Sequence, residues 1–204
     1  MKAVFLDRDG VINVDKGYVH RIEDFEFYPN VFKALKKLQG AGYKLFIVTN
    51  QAGIALGYYT EEDFLKLNKF MLKEFEKEGI KIEKVYYCPH REDGIVEKYA
   101  IKCDCRKPES GMIRRAIREF GVEPSKSFLI GDKESDILAA HKEGIKAALV
   151  KTGEGMRYID ATTADYVGED ILDVVDNFVL SNCVNFWLKT FSIFLVKKSL
   201  TNNT

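Results

Sequence analysis

The stretch Ala3-Val4-Phe5-Leu6-Asp7-Arg8-Asp9-Gly10 decides the fold. Four apolar residues run without a break and stop at a carboxylate. A run this short and this apolar suits a strand buried on both faces of a parallel sheet. The same pattern recurs three times downstream. Leu45-Phe46-Ile47-Val48 stops at Thr49-Asn50, Phe128-Leu129-Ile130 at Gly131-Asp132, and Ala147-Ala148-Leu149-Val150 at Lys151. Val85-Tyr86-Tyr87, leading into Cys88, is a fifth candidate strand.

Helical patterns lie between these runs. Asn30 is placed to cap a helix with Val31, Ala34, Leu35 and Leu38 on its apolar face, closed by Gly40 or Gly42. Thr60 is placed to cap a longer helix carrying Phe64, Leu67, Met71 and Phe75. Ile113 to Phe120, residues 134–143, and Ile171 to Phe178 complete the set. Strands alternating with helices of this length predict a doubly wound α/β fold with a mainly parallel sheet.

The chain has 204 residues, 46% of them apolar and 30% charged, which fits a folded globular protein. Lys+Arg and Asp+Glu are both 31, so no overall basic field exists to collect nucleic acid. The apolar opening is too short for a signal-peptide core, so a cytoplasmic location is expected. Asp176 is the last acidic residue. Beyond it come Lys189, Lys197, Lys198 and several aromatics. That shift in composition divides a domain over 1–176 from a tail over 177–204. The tail reads as a packing or mobile appendage, against a membrane-surface segment or a non-native extension. Lys189, Asn182 and Asn185 interrupt it too often for a membrane span.

In an open α/β sheet, ligands bind outside the carboxyl ends of the strands. Four polar clusters fall there. Asp7 and Asp9 place two carboxylates two residues apart, the first able to attack and the second to pass a proton, with Gly10 allowing a sharp turn. Taken alone, this is equally a solvated acidic turn. Thr49-Asn50-Gln51 offers a hydroxyl and amides to phosphate oxygens. Arg106-Lys107-Pro108 puts cations before a helix N-terminus, a conflict that a bound anion relieves. Asp132 and Asp136 offer hard oxygen ligands suited to Mg²⁺, or simply favourable charge in a first helical turn.

A fifth cluster is of another kind. Cys88-Pro-His90, twelve intervening residues, then Cys103-Asp-Cys105 supply three thiolates and one imidazole, a closed tetrahedral set for structural Zn²⁺. Residues i and i+2 of an extended segment share a face, so each pair holds one side of a metal. The bland alternative is a group of reduced thiols beside a surface histidine. The loop leads directly into Arg106 and Lys107.

In this order and company, the clusters resemble the haloacid dehalogenase superfamily of aspartate-nucleophile phosphatases. FLDRDGVIN, VTN, RKP and IGDKESD are similar to its four motifs. DRDGVINVDKGYVHRIEDFEF, VTNQAGIALG, CPH…CDCRKP and GDKESDI resemble its branch of D-glycero-D-manno-heptose 1,7-bisphosphate 7-phosphatases, over residues 3 to about 176. Histidinol-phosphate phosphatase is similar in the same motifs and stays as the enzymatic alternative. A zinc-stapled binding module is the non-catalytic one.

The resemblance implies a phosphatase working through an aspartyl-phosphate, with Asp7 as nucleophile and Asp9 as acid/base. Thr49 and Lys107 complete the phosphate cradle. Mg²⁺ is held by Asp7, the Asp9 carbonyl and Asp132, and Zn²⁺ by Cys88, His90, Cys103 and Cys105. It implies that Asp15, Lys16, Gly17, Tyr18, Asn50, Gln51, Ala52, Arg106 and Lys133 face a sugar phosphate. Asp136 steadies Lys133 or a metal-bound water. A monomer is expected, with no nucleic-acid partner.

Overall fold

The computed structural model describes residues 1–182. A six-stranded sheet runs β1 Ala3–Leu6, β2 Lys44–Asn50, β3 Ile82–Cys88, β4 Phe128–Gly131, β5 Lys146–Val150 and β6 Tyr166–Gly168. Its spatial order is β3-β2-β1-β4-β5-β6, and every pairing is parallel. The helices are α1 Val31–Gly40, α2 Ala52–Ala55, α3 Glu61–Lys77, α4 Gly111–Phe120, α5 Glu134–His141 and α6 Ile171–Val174. The chain continues from α6 through a π turn at Val175–Val179.

Alternation along the strands feeds two cores. Val4 and Leu6 pack on the face shared with Leu35, Phe75 and Val174. Ala3 and Phe5 face the opposite layer with Ile113, Ala116 and Ile137. Both layers are sealed, so the central strands bury every residue, as the unbroken apolar runs required. The chain winds outward in both directions from β1, so β1 and β4 flank the switch point. Asp7 N–H donates to Ile130 O at 3.0 Å, carrying the β1–β4 pairing up to the two carboxylate-bearing ends.

Thr60 caps α3 as expected. Its hydroxyl accepts from Asp63 N–H, and the Asp63 carboxylate accepts from Thr60 N–H. Asn30 does not cap α1. Its amide donates instead to Asp170 at 2.6 Å, tying the start of α1 to the start of α6. The glycine-bearing stretch after β2 forms the short helix α2. β6 is an addition to the sequence reading. Phe178 and Val179 are buried in the core, so the packed chain passes the expected boundary at 176 and its helical path reaches 182. The rest of the expected tail, with Cys183, lies outside the described residues.

Candidate active site

Asp7 leaves β1 beside Asp132, which leaves β4. Ligand oxygens of Asp7, Asp132 and Asp136 all lie within 4.8 Å of one another, and all three side chains are buried. Lys107 reaches into this group. Its ammonium lies 2.9 Å from Asp7 Oδ1, pairs with Asp136, and donates to Val48 O at 2.7 Å. One ammonium does not balance three carboxylates. Burial, followed by the Asp7 and Asp136 charges, pushes the Asp132 carboxyl up to about 8. Burial also lifts Asp7, to about 6, against the pull of Lys107. Asp132 Oδ1 is buried without a hydrogen-bond partner. A crowded all-oxygen set with an unpartnered carboxylate oxygen fits a hard divalent cation.

The backbone around Asp132 is built to stay close. A Cβ on Gly10 would lie 2.2 Å from Asp132 Oδ2, and one on Gly153 would lie 2.3 Å from it. Both glycines have positive φ, so side chains are excluded on two counts. Thr152 Oγ1–H donates to Gly10 O at 2.6 Å, and Glu154 N–H to Asp132 Oδ2 at 2.9 Å. The loop after β5 thus clamps the site from the far side.

Asp9 lines the same cavity but is not one of the three clustered carboxylates. Its oxygens accept from Arg8 Nε at 3.2 Å and Nη2 at 3.0 Å, from Asn13 at 3.0 Å and from Gln51 at 3.1 Å. Burial raises its pKa, but the Arg8 charge and these bonds overcome that and hold it below the usual carboxylate range. Arg8 is 1% exposed; it also donates to Val19 O at 2.7 Å and lies over the Phe64 ring.

A cavity of about 540 Å³ opens above this floor, within the usual range for small-molecule sites. Of the residues expected from sequence, Asp7, Asp9, Asp15, Gly17, Tyr18, Asn50, Gln51, Ala52, Arg106, Lys107 and Lys133 line it. Thr49 lies beneath, buried, with its oxygen accepting from Gln51 at 2.8 Å. Lys16 turns away and pairs with Glu26 at 2.9 Å. Asp136 accepts from the backbone N–H of Lys133 and pairs with Lys107. The Lys133 ammonium is held by Glu154 at 3.0 Å instead. Tyr59, Arg91, Ser135 and Glu154 also line the cavity and were not read from the sequence.

Behind the cavity wall, Cys88, His90, Cys103 and Cys105 converge. The Cys105 sulfur lies 3.0 Å from that of Cys88, 3.2 Å from that of Cys103 and 3.4 Å from His90 Nδ1. A tetrahedral zinc site with Zn–S near 2.3 Å sets its sulfurs about 3.8 Å apart. The cluster is therefore somewhat contracted, with all four donors facing one point. Contacts with Cys88, Cys103 and His90 draw the Cys105 thiol down to about 5 against the effect of burial. Its bond to Cys105, then burial, pushes Cys88 up. Arg106 donates to His90 O at 3.4 Å, which links this cluster to the cavity.

The parallel sheet with its switch point and the polar groups gathered there define an α/β protein with a polar ligand site at the carboxyl ends of its strands. A family model described as HAD-hydrolase-like matches residues 104–174. The chain is 47% identical over 176 residues to D-glycero-beta-D-manno-heptose-1,7-bisphosphate 7-phosphatase of Haemophilus ducreyi, covering 85% of this chain and 96% of that one. It is 52% identical over 138 residues to D-glycero-alpha-D-manno-heptose-1,7-bisphosphate 7-phosphatase of Campylobacter jejuni, covering 68% of this chain and 75% of that one. A crystal structure of D,D-heptose 1,7-bisphosphate phosphatase from B. bronchiseptica, complexed with magnesium and phosphate, superposes with a TM-score of 0.79 at 28% identity, over 89% of this chain and 99% of that one. The chain belongs to the D-glycero-D-manno-heptose-1,7-bisphosphate 7-phosphatase family of the haloacid dehalogenase superfamily. It is a phosphoric monoester hydrolase. Among the described residues, no helix is long and apolar enough to cross a membrane.

Proposed function

We propose that the chain removes the 7-phosphate of D-glycero-D-manno-heptose 1,7-bisphosphate through a covalent phosphate on Asp7. The observation that carries this reading is the buried Asp7–Lys107 contact on the floor of an open cavity, beside two further strand-end carboxylates. Asp7 attacks phosphorus and the phosphate–sugar bond breaks. Asp9 gives a proton to the departing sugar oxygen, then takes one from the water that cleaves the acyl-phosphate. Its low pKa at rest suits the second half. The arriving phosphate adds negative charge nearby and raises Asp9 toward the protonated form that the first half needs. Lys107 and the Thr49 hydroxyl hold the equatorial oxygens on which charge collects.

Mg²⁺ would be held by Asp7, Asp132 and the Asp9 carbonyl, and when bound it supplies the positive charge that lets a phosphate approach these carboxylates. Zn²⁺ would be held by Cys88, His90, Cys103 and Cys105 as a closed structural site. Arg106, with a planar fork suited to phosphate, grips the second phosphate. The enzyme works in the cytoplasm on a small sugar phosphate.

The test is phosphate release, with Mg²⁺, from both anomers of the heptose bisphosphate and from histidinol phosphate. One heptose anomer turned over at least about tenfold better than histidinol phosphate supports the proposal; the reverse order overturns it. Arg106→Ala is expected to erase much of the preference for bisphosphate over monophosphate sugar. An unchanged ratio removes Arg106 from the account.

A further inference from the structure

The Gln51 side-chain amide has one acceptor and two donor hydrogens, and all are engaged. Tyr59 Oη–H donates to Gln51 Oε1 at 2.6 Å. Gln51 Nε2 donates to Thr49 Oγ1 at 2.8 Å and to Asp9 Oδ2 at 3.1 Å. Gln51 is 2% exposed and Tyr59 6%. Burial pushes the Tyr59 phenol up, so it keeps its proton and remains the donor. A flipped amide would set its carbonyl against the Asp9 carboxylate, which only accepts, so Asp9 selects the amide orientation. In that orientation the tyrosine hydroxyl anchors the oxygen end of the amide and holds it in place. The Tyr59 ring is itself fixed. His20 stacks on it, with centroids 4.8 Å apart and planes 8° from parallel. Gly53 lies so close that a Cβ there would sit 2.1 Å from a ring carbon.

We infer that Tyr59 is a positioning residue for proton transfer: its hydroxyl fixes the Gln51 amide, and that amide sets the direction in which Asp9 presents Oδ2 to the leaving oxygen. This rests on the acid/base role of Asp9 given above. A sugar alkoxide is a poor leaving group and needs the proton as its bond breaks. A nitrophenolate leaves without one. Loss of the Tyr59 hydroxyl therefore penalises the sugar substrate selectively. A general loosening of the fold would penalise both.

The experiment compares Tyr59→Phe, Asp9→Asn and the unaltered chain on heptose bisphosphate and on p-nitrophenyl phosphate, both with Mg²⁺. In Tyr59→Phe, the ratio of kcat/KM on the sugar to kcat/KM on the aryl ester, which excludes the acyl-phosphate hydrolysis common to both, is expected to fall about tenfold. Asp9→Asn is expected to lower the same ratio further. If Tyr59→Phe leaves the ratio unchanged while Asp9→Asn lowers it, the relay is wrong and the acid role stands. An unchanged ratio in Asp9→Asn overturns the acid role, and the relay with it.

Discussion

The carboxylates of Asp7, Asp132 and Asp136 and the thiols of Cys88, Cys103 and Cys105 are both tight donor clusters, yet they are built differently. The carboxylates stand at the ends of β1 and β4 and at the start of α5, where the sheet register fixes them before any ion arrives. Lys107 already offsets part of their charge, and the cavity opens beside them. The thiols close a loop with little core of its own. Ile95 and Ile101 are exposed, and the main-chain bonds of Ile95 and Val96 both go to Ala55 O. A preformed oxygen site beside a cavity suits an exchangeable, working ion. A four-donor set that supplies its own loop's closure suits a permanent one.

The largest contrast comes from Asp7→Asn. On the proposed covalent route, deleting the attacking oxyanion is expected to lower kcat by at least about 10³-fold. Zinc content per chain should stay the same, because Asp7 is not among the four donors that close the thiol loop. Metal analysis beside the assay checks both halves. Activity near that of the unaltered chain would remove the covalent route.

Cys105→Ser should do the opposite. Loss of one thiolate from the set is expected to abolish stoichiometric zinc and lower the melting temperature by roughly 10 °C, a few kcal/mol in a chain of this size. Cys105 directly precedes Arg106, so KM for the bisphosphate should rise more than kcat falls. A change in kcat alone would mean that the loop does not aim Arg106.

The two clusters were also legible in the sequence to different degrees. The thiol cluster needed only spacing, since C-x-H and C-x-C already state which side chains share a face. The carboxylate cluster needed the strands first. The runs ending at Asp7 and Asp132 supplied them because strands buried on both faces cannot hide polar residues inside. Arg8 was not legible: between two aspartates it reads as a solvated turn, and only the Val19 carbonyl and the Phe64 ring make it internal. The Thr152-Gly153-Glu154 clamp was legible in principle. It follows β5 as the other clusters follow their strands, but Lys151 was taken only as a stop. β6 carried no signal; it has three residues and just one of them is buried. The Asn30 cap failed because Asp170, 140 residues away in the chain, offered a charged partner.

The smallest effect is the sharpest test of the carboxylate side, because it reads the protons of these carboxylates directly. Asp7 and Asp132 have folded-state pKa values of about 6 and about 8, above the ordinary 3.8. Between those limits the folded chain binds more protons than the unfolded one. Stability carried by these protons is therefore present at low pH and lost as pH rises through 6 to 8. In metal-free protein, the contribution of these two groups should fall by a few kcal/mol between pH 5 and pH 8, roughly 5 °C or more in melting temperature. Mg²⁺ favours the ionised carboxylates, so the stabilisation it adds should be larger at pH 8 than at pH 5. Asp132→Asn removes one proton site and one ligand together. Its melting temperature should vary less with pH and respond less to Mg²⁺. Equal Mg²⁺ shifts at both pH values, in the unaltered chain, would mean that the ion binds elsewhere than among these three carboxylates.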